Sequence, residues 1–116
     1  MRIMDSSGNT IAHVEGSSIM NASRSTIGRF LSGTVTNRSG STMGRVRGGY
    51  ATDSYGSTVA RYSRSSVLNR NGSTRYRLGS SRIMTSGGST LFRTDESLDE
   101  NLEGAIAWLV FFSNEW

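Results

Sequence analysis

Arginine recurs at one fixed interval along this 116-residue chain. Arg29, Arg45, Arg61, Arg77 and Arg93 stand 16 residues apart, and His13 holds the same place one interval earlier. Each arginine lies three residues after a threonine of the series Thr10, Thr26, Thr42, Thr58, Thr74 and Thr90, which keeps the same spacing. A guanidinium is a planar fork of donors suited to phosphate, sulfate or carboxylate. Five at equivalent positions are therefore candidate anion-binding residues, with Arg47 and Arg64 as irregular neighbours and Tyr50, Tyr55 and Tyr62 available for stacking. A nucleic acid or an anionic glycan is the corresponding partner. The competing reading is that these arginines solvate exposed strand faces and are neutralised in part by an acidic tail.

Other chemistry is poorly supplied. His13 is the one histidine, and with no second imidazole nearby it reads as a solvated strand residue rather than a base or ligand. No cysteine is present, so thiolate metal sites and disulfides are excluded, and no GxSxG elbow accompanies the serines. The acidic run DESLDENLE, residues 95–103, matches neither an EF-hand nor another dedicated cage, and reads as a solvated helix surface. The sequons at Asn21, Asn37 and Asn71 are read as turn residues. The threonine ladder has one regular column in a heavily charged surface, a poor match to ice binding. The expectation is a chain that is not an enzyme and needs no cofactor or metal.

Charge divides the chain in two. All 13 basic residues are arginines, lying between Arg2 and Arg93, and only Asp5, Glu15 and Asp53 oppose them there, which leaves that stretch at +10 (13 − 3). The other six acids, from Asp95 to Glu115, follow it. The opening MRIMDSSGN lacks the apolar core of a signal peptide, which points to the cytoplasm, and no apolar run reaches membrane-spanning length.

The elements that would position the arginines follow from the repeat. Asp5, Asn21, Asn37, Asp53 and Asn69 each open a four-residue turn, closed by glycine except at Arg24, and Thr85 opens the last. An Asx side chain caps turn donors and a closing glycine accepts positive φ, the signature of a type I turn followed by a bulge. Short β-branched and aromatic segments flank each turn, so one period is two short strands and two tight turns. Arg24 stands where glycine is expected, and because a left-handed arginine is strained this turn is open to a different type.

Strands of about five residues form no stable isolated hairpin, so the copies must bury their apolar columns together. An all-β radial array of hairpins over residues 1–94 is expected, with a short β-solenoid as the alternative. The column Ala12, Gly28, Gly44 and Ala60 predicts close approach near an axis, and Tyr76 and Phe92 in the same column predict where the tail meets the array. Within residues 95–116, Leu98, Leu102, Ala105, Ile106, Leu109 and Phe112 have helical spacing, with Ser97 as N-cap. GAIAWLVFF, residues 104–112, is apolar all round, so this helix should pack on or plug the end of the array.

The phrase Gly40-Ser41-Thr42-Met43-Gly44-Arg45-Val46 and its copies, the Asx-x-x-Gly turns and the apolar end Ala105 to Phe112 resemble the bacterial five-fold β-flower proteins. The resemblance spans nearly the whole chain. It implies β-hairpin petals around an axis and carries no assigned activity or catalytic residue. Six threonine phrases enclose five intervals, so five or six petals both fit. The function expected is a structural or interaction module, with a protein partner or self-association, or else polyanion binding through the arginine column.

Overall fold

The structure, a computed structural model, describes all residues from Met1 to Trp116. Twelve antiparallel strands form one sheet: β1 (Arg2–Asp5), β2 (Thr10–Glu15), β3 (Ser18–Asn21), β4 (Thr26–Leu31), β5 (Thr34–Asn37), β6 (Thr42–Arg47), β7 (Tyr50–Asp53), β8 (Thr58–Tyr62), β9 (Ser66–Asn69), β10 (Thr74–Leu78), β11 (Arg82–Thr85) and β12 (Thr90–Thr94). Each strand bonds to its neighbours in sequence, and β1 closes on β12 through Ile3 opposite Thr94 and Met4 opposite Arg93. The sheet is thus a closed barrel. An open solenoid would leave two strand edges unpaired, and closure removes them.

The two rims are built by different turns. At one, five turns opened by Asp or Asn and a sixth opened by Thr85 join β1 to β2, β3 to β4 and so on to β12. Asn37 shows the device: its Oδ1 accepts the Ser39 and Ser41 amides, Gly40 N–H donates to its carbonyl, and the ladder shifts register between Val35 and Thr36. This is the type I turn with a bulge that the spacing predicts. The Arg24 turn keeps the same pattern as its copies, with Arg24 left-handed at φ 66° instead of a turn of another type, and Thr85 accepts only the Ser89 amide through Oγ1. The opposite rim carries five connected hairpins, with the β1–β12 seam in the sixth place. In one of these, Gly48 and Gly49 have φ 63° and 89°, the positive pair a two-residue hairpin of this twist demands.

Strand alternation then sorts the columns. Ile3, Ile19, Val35, Ala51, Val67 and Ile83 point inward and are almost wholly buried. The threonine-plus-two column faces inward as well, and the arginine column faces out. The lumen holds the helix α1 (Leu102–Phe111), whose residues Ala105, Ile106, Ala107, Trp108 and Leu109 are buried. The helix runs inside the barrel, not across its end. Twelve strands enclose more space than their own short side chains fill, and an all-apolar helix supplies the missing core.

The fit is set by the small column. A Cβ on Gly28 would stand 2.6 Å from Phe112 Cε1 and 2.7 Å from the Thr36 carbonyl, and one on Gly44 would stand 2.5 Å from Phe111 Cζ. Across the lumen the same column is large: the Phe92 ring meets Trp108 edge-on at 5.0 Å, and Tyr76 lies 6.1 Å from Trp116. The tail is therefore seated off-centre, against bare backbone on one side and aromatic rings on the other.

The helix begins later than its sequence pattern indicates. Ser97 does not cap it; Ser97 Oγ accepts the Asp99 amide in a separate turn, and Asn101 takes the N-cap position without a side-chain bond. The reason is an anchor ahead of the helix: Leu98 is buried and its N–H donates to the Ser80 carbonyl at the rim. The chain must turn into the lumen before it can coil.

Gly44→Ala is expected to lower unfolding free energy by roughly 1–3 kcal/mol through overpacking. Gly79→Ala, whose Cβ would meet nothing nearer than 3.6 Å, should fall within about 0.5 kcal/mol of the parent. Urea denaturation of both variants checks this; equal midpoints would show that the lumen yields freely.

Candidate functional site

Two parts of the surface carry chemistry: the mouth where α1 enters, and the outer wall. At the mouth a cavity of about 570 Å³ lies between the hairpin rim and the start of the helix. Phe30 and Tyr62 form its wall, Arg64 its edge, and Asp99, Glu100 and Glu103 its acidic side. Tyr62 O–H donates to Glu103 Oε2 at 2.5 Å, tying β8 to the first turn of α1. Burial, and then this bond to a carboxylate, push the Tyr62 hydroxyl up to about 12. Tyr62 thus belongs to the mouth, and is not a stacking ring for the wall.

His13 departs from expectation in a different way. It is 4% exposed, so it is a buried residue of β2 rather than a solvated one. It faces Arg2 on β1 and Met20 on β3, and its Nδ1 lies 3.7 Å from Glu15 Oε2, beyond hydrogen-bond reach. Glu15 instead bonds Arg24 Nη1 at 2.9 Å. No group of three or more His, Asp or Glu side chains is placed to hold a metal ion.

The column arginines lie outside. Arg29, Arg45, Arg61, Arg77 and Arg93 sit on β4, β6, β8, β10 and β12, all exposed. Consecutive members are two strands apart, about 10 Å, so on a convex wall they form a belt and do not converge on one small ligand. The three ion pairs of the molecule involve Met1 with Glu96, His13 with Glu15 and Arg24 with Glu15, and none includes a column arginine. Asp99, Glu100 and Glu103 line the mouth, and none of them forms an ion pair with a column arginine.

What the sheet does bring together is narrower than the column. Arg47 on β6 and Arg61 on β8 are the direct cross-strand partners of Tyr50 on β7. The Arg61 guanidinium carbon lies 5.6 Å from the Tyr50 ring centroid, within cation–π range. Tyr55 is 92% exposed on the Asp53–Gly56 turn, away from this group. One further arginine lies outside the column. Arg75 donates to the Glu115 and Trp116 carbonyls and lies 4.4 Å over the Trp116 ring, holding the tail. Its signal was present, since Arg75 interrupts the apolar column Ile11, Ile27, Met43, Val59 and Leu91.

A raised tyrosine pKa favours the folded state, and this contribution is complete below the ordinary value of 10.0 and lost as pH rises through about 12. Tyrosinate absorbance should show a component near 12. Glu103→Gln should move it downward by removing the carboxylate, and an unmoved component would assign the whole shift to burial.

No curated protein and no solved structure matches the chain. A family model described as 5-fold beta-flower protein matches residues 1–113, which takes in all twelve strands and the whole of α1. The barrel here has six two-strand units, five of them connected hairpins at the mouth rim and the sixth completed by the seam. With a family match over that span, the chain belongs to the 5-fold beta-flower proteins.

Proposed function

We propose that this protein is a non-catalytic interaction module whose working surface is the outer wall of the barrel, with an anionic partner. One observation carries the reading: the five column arginines are exposed on the wall with no acid paired to them, while the lumen, where a barrel of this size would hold a ligand, is filled by the protein's own helix. Guanidiniums without internal hydrogen-bond partners keep their donors for phosphate, sulfate or carboxylate.

The wall is uneven. Near β2 and β3, Glu15 engages Arg24 and offsets its charge, whereas Arg29, Arg45, Arg47 and Arg61 on β4 to β8 have no acid paired with them. Neighbours about 10 Å apart are separated by about one Debye length at 0.1 M salt, so they act as separate contacts along an extended chain. The outward face is also the reverse of a membrane barrel's: arginine and threonine outside, aliphatic residues inside. No helix is long and apolar enough to cross a membrane.

Binding to heparin, measured across a salt series, tests the proposal. Affinity should fall steeply and linearly on logarithmic axes as salt rises. Arg45→Ser with Arg61→Ser should weaken it about thirtyfold at low salt, by removing two charge-assisted contacts near 1 kcal/mol each. Absence of binding at low salt would overturn the anionic partner and this reading with it.

A further inference from the structure

The wall carries one place where charge, a flat ring and hydroxyls coincide. Across β6 and β7, Arg45 faces Thr52 and Arg47 faces Tyr50; across β7 and β8, Tyr50 faces Arg61 and Thr52 faces Thr58. A shallow cavity of about 350 Å³ lies among Arg45, Arg47, Tyr50, Thr52 and Thr58. Arg61 stacks on the Tyr50 ring without lining that cavity. The arginine side chains that hydrogen-bond within the protein are Arg24 and Arg75, so Arg45, Arg47 and Arg61 keep their donors free.

This group breaks the repeat. The position of Tyr50 is filled in the other copies by Arg2, Ser18, Thr34, Ser66 and Arg82, and that of Arg47 by Glu15, Leu31, Ser63, Gly79 and Asp95. Tyr50 is 47% exposed although it is held on both sides by strand partners. A belt of arginine alone would suit any polyanion. A ring at its densest part adds a surface that stacks on planar groups, which sulfated glycans lack and nucleobases have.

We propose that this group is a binding site for single-stranded nucleic acid, with a base stacked on Tyr50 and the flanking phosphates held by Arg45, Arg47 and Arg61. The proposal rests on the outer wall being the working surface, and deepens it to one ligand class. A strand fits better than a free nucleotide because the cavity is open on a convex wall and buries little of any small ligand, while Arg29 and Arg61 extend the positive track about 10 Å to either side of Arg45. Thr52 and Thr58 supply hydroxyls that accept or donate to sugar and phosphate oxygens without a base preference.

The experiment compares three probes, oligothymidylate, heparin and adenosine monophosphate, on the parent chain and on Tyr50→Ser. Serine is the native residue at the equivalent positions Ser18 and Ser66, so the strand should tolerate it. Tyr50→Ser should weaken oligothymidylate about tenfold or more, as loss of one base–aromatic stack does, and leave heparin unchanged. Unchanged heparin binding also reports an intact wall. Equal binding of oligothymidylate by both chains overturns the stacking site while the anionic wall stands. Loss of every probe at low salt in the parent chain overturns both. Adenosine monophosphate bound as tightly as the strand, with the same dependence on Tyr50, overturns the strand in favour of a free nucleotide.

Discussion

The contact of Phe111 and Phe112 with the bare backbone of Gly28 and Gly44 sets the shape of the molecule. A twelve-strand barrel has a lumen too wide for Val, Ile and Ala side chains to fill alone, and an unfilled apolar lumen forfeits dispersion contacts. The helix fills it only because two strands present no side chain where it passes. On the far side Phe92 and Tyr76 reach inward to Trp108 and Trp116, so the helix is gripped from two sides by opposite means, closeness on one and bulk on the other. The regularity of the repeat is broken at those positions for that reason.

Filling the lumen has a consequence for chemistry. Barrels of similar size that hold ligands do so inside, and here that volume is spent on α1. The polar side chains are displaced to the wall and to the mouth. At the mouth the available hydroxyl and one carboxylate satisfy each other through Tyr62 and Glu103, which makes that region a fastening between barrel and helix. The wall retains the groups without internal partners. Its outward columns sit at strand positions fixed by alternation, so tyrosine at position 50, where the other copies carry serine, threonine or arginine, distinguishes one sector from the rest together with its partner Arg47.

Much of this could be read from residue spacing. The turns were legible because Asp and Asn side chains act locally: the amides they cap lie two and four residues on. The inward and outward columns followed from alternation, whereas the turn type at Arg24 was open until the fold showed arginine left-handed in a glycine's place. The start of α1 did not follow, because Ser97 is a sound N-cap by type and is overruled by Leu98, which is anchored to Ser80, far away in sequence. His13 was misjudged for a related cause. Its column is exposed everywhere else, and its burial is a tertiary property that spacing does not weigh.

By itself the sequence determined the unit: its length, its turn chemistry, which residues alternate to each face, and the presence of an apolar helical tail. These depend on contacts between residues close in the chain. Closure was decided only in three dimensions, since an array of hairpins can end in free edges or return on itself, and the choice is made by β1 meeting β12 across the whole length of the chain. The place of the helix was decided there too. Whether it lies on the array or within it depends on the width of a lumen that exists only once twelve strands have closed, and on a path past Gly28 and Gly44 that no local pattern measures.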